Sequence, residues 1–109
     1  MVTEPRRGEV WWMEVPAAGR RPALVLTRTA AIPVLNRLLV VPATRTLRPI
    51  PTAVRLGEED GMPDACALSL DNIALVPKSG FGSRVTRLSR ERMAEVCAAL
   101  RVAVGCGSA

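Results

Sequence analysis

Nine prolines are scattered through the chain between short apolar runs, and their spacing forbids a mostly helical fold. Proline removes a backbone donor and clashes with the preceding helical turn, so each one interrupts or ends a helix. The runs between them carry β-branched residues and are bounded by Pro, Gly, Asn or Asp: Gly8–Val15, Ala23–Thr27, Leu38–Pro42, Thr52–Leu56, Ala65–Leu68 and Ile73–Val76. These read as strands. Ala23–Leu26 and Leu38–Val41 are continuously apolar, as central strands covered on both faces would be, whereas Thr52–Leu56 alternates like a half-exposed strand. A short helix over Ala30–Asn36 is weakened by Pro33.

From Ser89 the period changes. Met93, Val96, Cys97, Leu100 and Val104 form one helical apolar stripe. Ser89 is a fitting N-cap, Glu91 lies in the first turn where the helix dipole favours an anion, Arg101 lies near the other end, and Gly105 is a natural C-cap. No repeat or linker is visible, so residues 1–109 are read as a single domain. The expected class is mainly β: a small, strongly bent sheet or partly open barrel with a C-terminal α-helix packed on it.

Composition narrows the chemistry. With 49% apolar and 23% charged residues the chain can bury a core. Histidine is absent, which removes Ser-His-Asp and Cys-His triads, paired-histidine ribonucleases and His-rich zinc sites. Cys66, Cys97 and Cys106 are odd in number without a Cys-x-x-Cys pair, and are read as reduced thiols. No apolar run approaches the roughly 18 residues of a membrane span. The polar start Met1–Arg7 is unlike a signal peptide, so a soluble, cytoplasmic protein without membrane contact is expected. The net charge of +5 predicts attraction to a polyanion or an acidic protein. Lys78 is the one lysine among fifteen cations. Arginine grips phosphate with a planar fork, although a GC-rich genome would produce the same bias.

Three clusters are able to carry chemistry. In Gly19-Arg20-Arg21-Pro22, Pro22 holds Arg21 in extended backbone at the mouth of an apolar strand, either as a phosphate ligand or as a solvated charge beside a turn. In Val41-Pro42-Ala43-Thr44-Arg45, a strand ends in a hydroxyl and a guanidinium. Thr44 can donate to a phosphoryl oxygen while Arg45 or Arg48 holds a neighbouring phosphate, or these are ordinary strand-exit residues. Adjacent strand residues face opposite sides, so one of Trp11 and Trp12 enters the core and the other stays near the surface, able to stack on a base. Asp71-Asn72 is a turn or a polar pair that reads a base edge, and Glu58-Glu59-Asp60 is a solvated acidic turn with no partner for a metal.

In order along the chain, these pieces resemble the MazF/PemK toxin family: Arg7-Gly8-Glu9-Val10-Trp11-Trp12, then Arg21-Pro22-Ala23-Leu24-Val25-Leu26, then Val40-Val41-Pro42-Ala43-Thr44. Asp64 and Cys66 precede Asp71-Asn72-Ile73, and Val85-Thr86-Arg87-Leu88-Ser89 leads into the helix with Cys97-Ala98-Ala99-Leu100. The likeness spans Arg6 to Gly105 and implies an SH3-like barrel of the MazF/PemK/CcdB type and a homodimer. It also implies a toxin of a type II toxin–antitoxin system, a metal-independent endoribonuclease with no cofactor. Such an enzyme cuts single-stranded RNA (mRNA, with tRNA or rRNA as further targets) by 2′-OH attack, leaving 2′,3′-cyclic phosphate and 5′-OH ends. An acidic MazE-like antitoxin would cover the RNA groove.

Carried onto this chain, the catalytic pair is Arg21 and Thr44; Arg20, Arg28, Arg45, Arg48, Asn72 and Trp12 stand beside it as RNA-binding candidates read from this sequence itself. Arg21 is assigned to phosphate stabilisation, with a proton for the 5′-oxygen as a second role. The general base stays unassigned, because guanidinium remains protonated. The loop Pro16–Arg20 is short for the family, Cys66 stands where Ser is frequent, and Asn72 stands where Gln is common, a change that bears on base choice. The rival on the same fold is a gyrase-binding toxin of the CcdB type without nuclease activity, and a third reading is a non-catalytic RNA-binding barrel.

Overall fold

The structure, a computed structural model, describes residues 4–106. The strands are β1 (Glu9–Val15), β2 (Gly19–Val25), β3 (Arg37–Thr44), β4 (Ala53–Leu56), β5 (Cys66–Ser69), β6 (Ala74–Pro77) and β7 (Phe81–Arg87), followed by helix α1 (Arg90–Val104). They form one sheet in the order β4-β5-β3-β2-β1-β7, with β6 also paired to β3. Every pairing is antiparallel. The sheet curls until its ends meet: Thr86 Oγ1 on β7 donates to the Asp60 carbonyl just after β4 at 2.9 Å. This is the partly open barrel with a C-terminal helix that the sequence implied.

Period-two alternation sorts the side chains between two cores. Val10, Leu24, Val41 and Ala43 face one core with Val54, Leu56 and Leu68, and α1 covers it through Val96 and Ala99. Trp11, Met13, Ala23, Val25, Leu38 and Val40 face the other, closed by Ile32 and Val76. The two continuously apolar runs are thus covered on both faces over most of their length. Leu39 departs from this: it is 45% exposed beside Leu75, its register partner on β6, because α1 does not reach that end of the sheet.

Local signals explain most boundaries. β1 and β2 are joined by a tight turn in which Ala18 N–H donates to the Val15 carbonyl. Pro16 sits at its first corner and Ala17 at φ 63, a corner usually held by glycine. Ser89 caps α1 by accepting from Arg92 N–H at 3.1 Å, and Gly105 ends it at φ 72. The apolar stripe stops short of Val104, which is exposed. The segment with Pro33 is a 3-10 helix, Thr29–Val34, rather than an α-helix. β7 carries no apolar run and was not expected; pairing with β1, with two register shifts, makes it a strand. Among the described residues no helix is long and apolar enough to cross a membrane. The polar start at Met1–Thr3 lies outside the described residues.

Candidate active site

The site is built where β2 begins and β3 ends. These strands lie side by side and run antiparallel, with Ala23 opposite Pro42, so Arg20 and Arg21 come close to the exit of β3 at Thr44. The short turn before Gly19 leaves little slack at Arg20. Its guanidinium lies over the Trp12 ring, 5.6 Å from the centroid. Trp11 faces inward, donating from its indole N–H to Glu9 Oε1 at 3.0 Å and meeting Phe81 edge-on. One indole is therefore core and the other forms part of the cleft wall.

A cavity of about 460 Å³ is lined by Trp12, Arg20, Arg21, Thr44, Arg45 and Asp64, among others. That volume lies within the roughly 300–1,000 Å³ of small-molecule sites. Two atomic details define its chemistry. Arg21 Nε is buried and has no hydrogen-bond partner. A native fold rarely leaves a buried donor unpaired, since doing so costs about 1–3 kcal/mol. Thr44 Oγ1 accepts from Thr46 N–H at 3.2 Å, which fixes the oxygen and leaves the hydroxyl hydrogen free to donate. A guanidinium edge and a hydroxyl donor thus share one cleft, an arrangement suited to an anionic oxygen.

Thr44 also borders a second cavity of about 300 Å³, with Thr46, Arg48, Ser69, Asp71 and Asn72 on its walls. Asp71 and Asn72 end a single 3-10 turn, so they are a turn and a polar cavity wall at once. Asp71 is held by the Thr52 hydroxyl, which donates to Oδ2 at 2.7 Å. Of the sequence candidates, Trp12, Arg20, Arg21, Thr44 and Arg45 line the first cavity, and Arg48 and Asn72 join Thr44 at the second. Arg28 lines neither. It follows the far end of β2, separated from Arg21 by about 20 Å of extended chain.

The sequence reading missed the far wall of the first cavity, Met62–Cys66, and what holds it in place. Asp60, expected in a solvated turn, is instead mostly buried: its Oδ1 accepts from Arg92 Nε at 2.9 Å and its Oδ2 from Gly57 N–H at 3.0 Å. Burial pushes the Asp60 carboxyl up, but the Arg92 guanidinium and the Gly57 N–H outweigh it and hold the group below its ordinary value. Gly61 at φ 86 passes directly against Thr86, leaving no room for a Cβ. The Cys66 thiol is pushed up by burial and by the charges of Asp60 and Asp64. Among the described residues no three His, Cys, Asp or Glu side chains gather as a metal site would require.

A curled antiparallel sheet capped by one helix, with arginines and a threonine lining one cleft, defines a small β-barrel with a cationic cleft at one end. The chain belongs to the family described as PemK-like, MazF-like toxin of type II toxin-antitoxin system, whose sequence model matches residues 6–104. It is 45% identical over 107 residues to the Mycobacterium tuberculosis (strain ATCC 25618 / H37Rv) protein named probable endoribonuclease MazF5, covering 97% of this chain and 98% of that one. It is 40% identical over 102 residues to probable endoribonuclease MazF2 of the same strain, covering 93% of this chain and 99% of the relative. A solved mycobacterial endoribonuclease in complex with its cognate antitoxin superposes with a TM-score of 0.84 at 28% identity, covering 93% of this chain and 95% of that one.

Proposed function

We propose that the chain, as one domain, is the toxin of a type II toxin–antitoxin system. It cuts single-stranded RNA at short sequences by attack of a ribose 2′-OH on the adjacent phosphate. The observation that carries this reading is that Arg21, whose buried Nε has no partner within the protein, lines the same cleft as Thr44. Transphosphorylation needs charge growing on the equatorial phosphate oxygens to be stabilised, and a guanidinium fork plus a hydroxyl supply that without a metal ion. One preorganised donor is worth about 2.7–4 kcal/mol. Trp12, Arg20 and Arg45 flank the scissile phosphate, Arg48 and Asn72 take the neighbouring nucleotide, and Arg28 is left outside the groove. Relatives named as endoribonucleases support the activity, a neighbour solved with its cognate antitoxin supports an antitoxin partner, and the net charge of +5 suits an acidic one.

A homodimer in the cytoplasm completes the proposal. Supporting self-association, Leu39 and Leu75 lie opposite each other at 45% and 52% exposure. The gyrase-binding alternative is not favoured, since it gives no use to the Arg21–Thr44 cleft. Pure protein incubated with a long single-stranded RNA in EDTA tests the reading. Fragments ending in 2′,3′-cyclic phosphate and 5′-OH are expected; intact RNA at high enzyme excess would overturn it.

A further inference from the structure

Attack by a 2′-OH requires a group to take its proton, and neither catalytic residue of the proposed reaction is able to. A guanidinium stays protonated at neutral pH and offers no free lone pair to a proton. The Thr44 oxygen already accepts a backbone N–H. Histidine is absent. The groups able to titrate or carry charge on the walls of the first cavity are Arg20 and Arg21 from β2, Arg45 beyond β3, Asp64 on the far wall and Cys66 at the start of β5. Cys66 is a buried thiol raised above its ordinary value, so it stays protonated across the neutral range. Asp71, across Thr44 in the second cavity, already accepts the Thr52 hydroxyl at 2.7 Å, so Asp64 is the unengaged carboxylate on these walls.

Its setting suits a base rather than a structural ion. The Asp64 carboxylate is 70% exposed and lies 3.8 Å from Arg45 Nη2, itself 89% exposed. That separation is too long for a hydrogen bond. A surface pair of this kind contributes about 0–1 kcal/mol, so stability alone gives no reason for it. Among the described residues Asp64 receives no hydrogen bond and keeps its lone pairs for a substrate proton. Arg45 offsets its charge and lets a carboxylate sit beside a phosphate.

Resting on the nuclease reading above, we infer that Asp64 is the general base of the cleavage step. Its carboxylate takes the 2′-OH proton as the 2′-oxygen forms its bond to phosphorus. The bond from phosphorus to the 5′-oxygen breaks with its electron pair, and that oxygen takes a proton from water. Asp64 then returns its proton to solvent.

Single-turnover cleavage of a mixed-sequence single-stranded RNA by wild type, D64N and D64E, from acid to mildly alkaline pH, tests this. The wild-type rate climbs with pH along an acid limb. D64N retains the fold and its KM, falls by about 10²–10⁴-fold as expected for a lost general base, and has no acid limb. D64E restores the limb at reduced rate. A wild type that cuts RNA while D64N matches its rate, or keeps its acid limb, overturns Asp64 and leaves the Arg21–Thr44 reading standing. A wild type that cuts no RNA overturns both.

Discussion

Replacing Arg21 by alanine and by lysine separates the loss of a shaped donor from the loss of charge, and the structure fixes what each should do. Alanine removes at least one preorganised donor, worth about 2.7–4 kcal/mol in the transition state. At about 1.36 kcal/mol per decade, that lowers the cleavage rate by about 10²–10³-fold. Lysine keeps a point charge but not the planar edge, so R21K should recover only part, remaining about tenfold to a hundredfold below wild type. Stability should move the other way. Because Arg21 Nε has no partner, truncation removes no hydrogen bond of that atom and ends its desolvation cost. R21A should therefore melt at or above the wild-type Tm, by roughly 4 °C or more for each kcal/mol regained. Single-turnover cleavage of RNA beside thermal unfolding of the same preparations reads both. An R21A protein that cuts at the wild-type rate, or one that loses activity only because its Tm has fallen by many degrees, would refute the reasoning.

Thr44→Val should lower the cleavage rate by about 10²–10³-fold while Thr44→Ser keeps most of it, since only the serine preserves the donor; equal losses would point to packing instead. Asp60→Asn should cost about 1.5–3 kcal/mol at neutral pH, the worth of a hydrogen bond to a charged group, as measured by urea unfolding. The folded Asp60 carboxyl is held below its ordinary value, so its contribution is present above the unfolded pKa and is lost as pH falls through the folded one. The gap between wild type and D60N should then close on acidification, and a gap that stays constant into acid would argue against the ion pair. Leu75→Glu places a charge on the exposed apolar patch and should shift sedimentation from dimer to monomer; an unchanged mass would remove this face from the interface.

Legibility followed the range of the interactions. The strands with apolar runs and α1 with its Ser89 and Gly105 caps could be read because their signals lie within one element. The Arg21-Pro22 mouth and the Thr44 exit were readable for the same reason, each being a local backbone situation. β7 was not, since Phe81–Arg87 is polar, contains Gly82 and becomes a strand only by pairing with β1. The far wall of the cleft escaped as well: Arg45 meets Asp64, Thr52 meets Asp71 and Arg92 meets Asp60 only through the curl of the sheet. Arg28 lines neither cavity, since the length of β2 carries it away from Arg21, a separation that charge alone does not reveal in the sequence.

The grip of Arg92 on Asp60 also ties the far wall of the cleft to the helix at the other end of the sequence. Without α1, the loop that bears Asp64 would keep the Thr86 hydroxyl contact from β7 but lose the Arg92 ion pair. That ion pair forms only once α1 has docked, so the far wall of the cleft gains a tether from the helix that follows all seven strands.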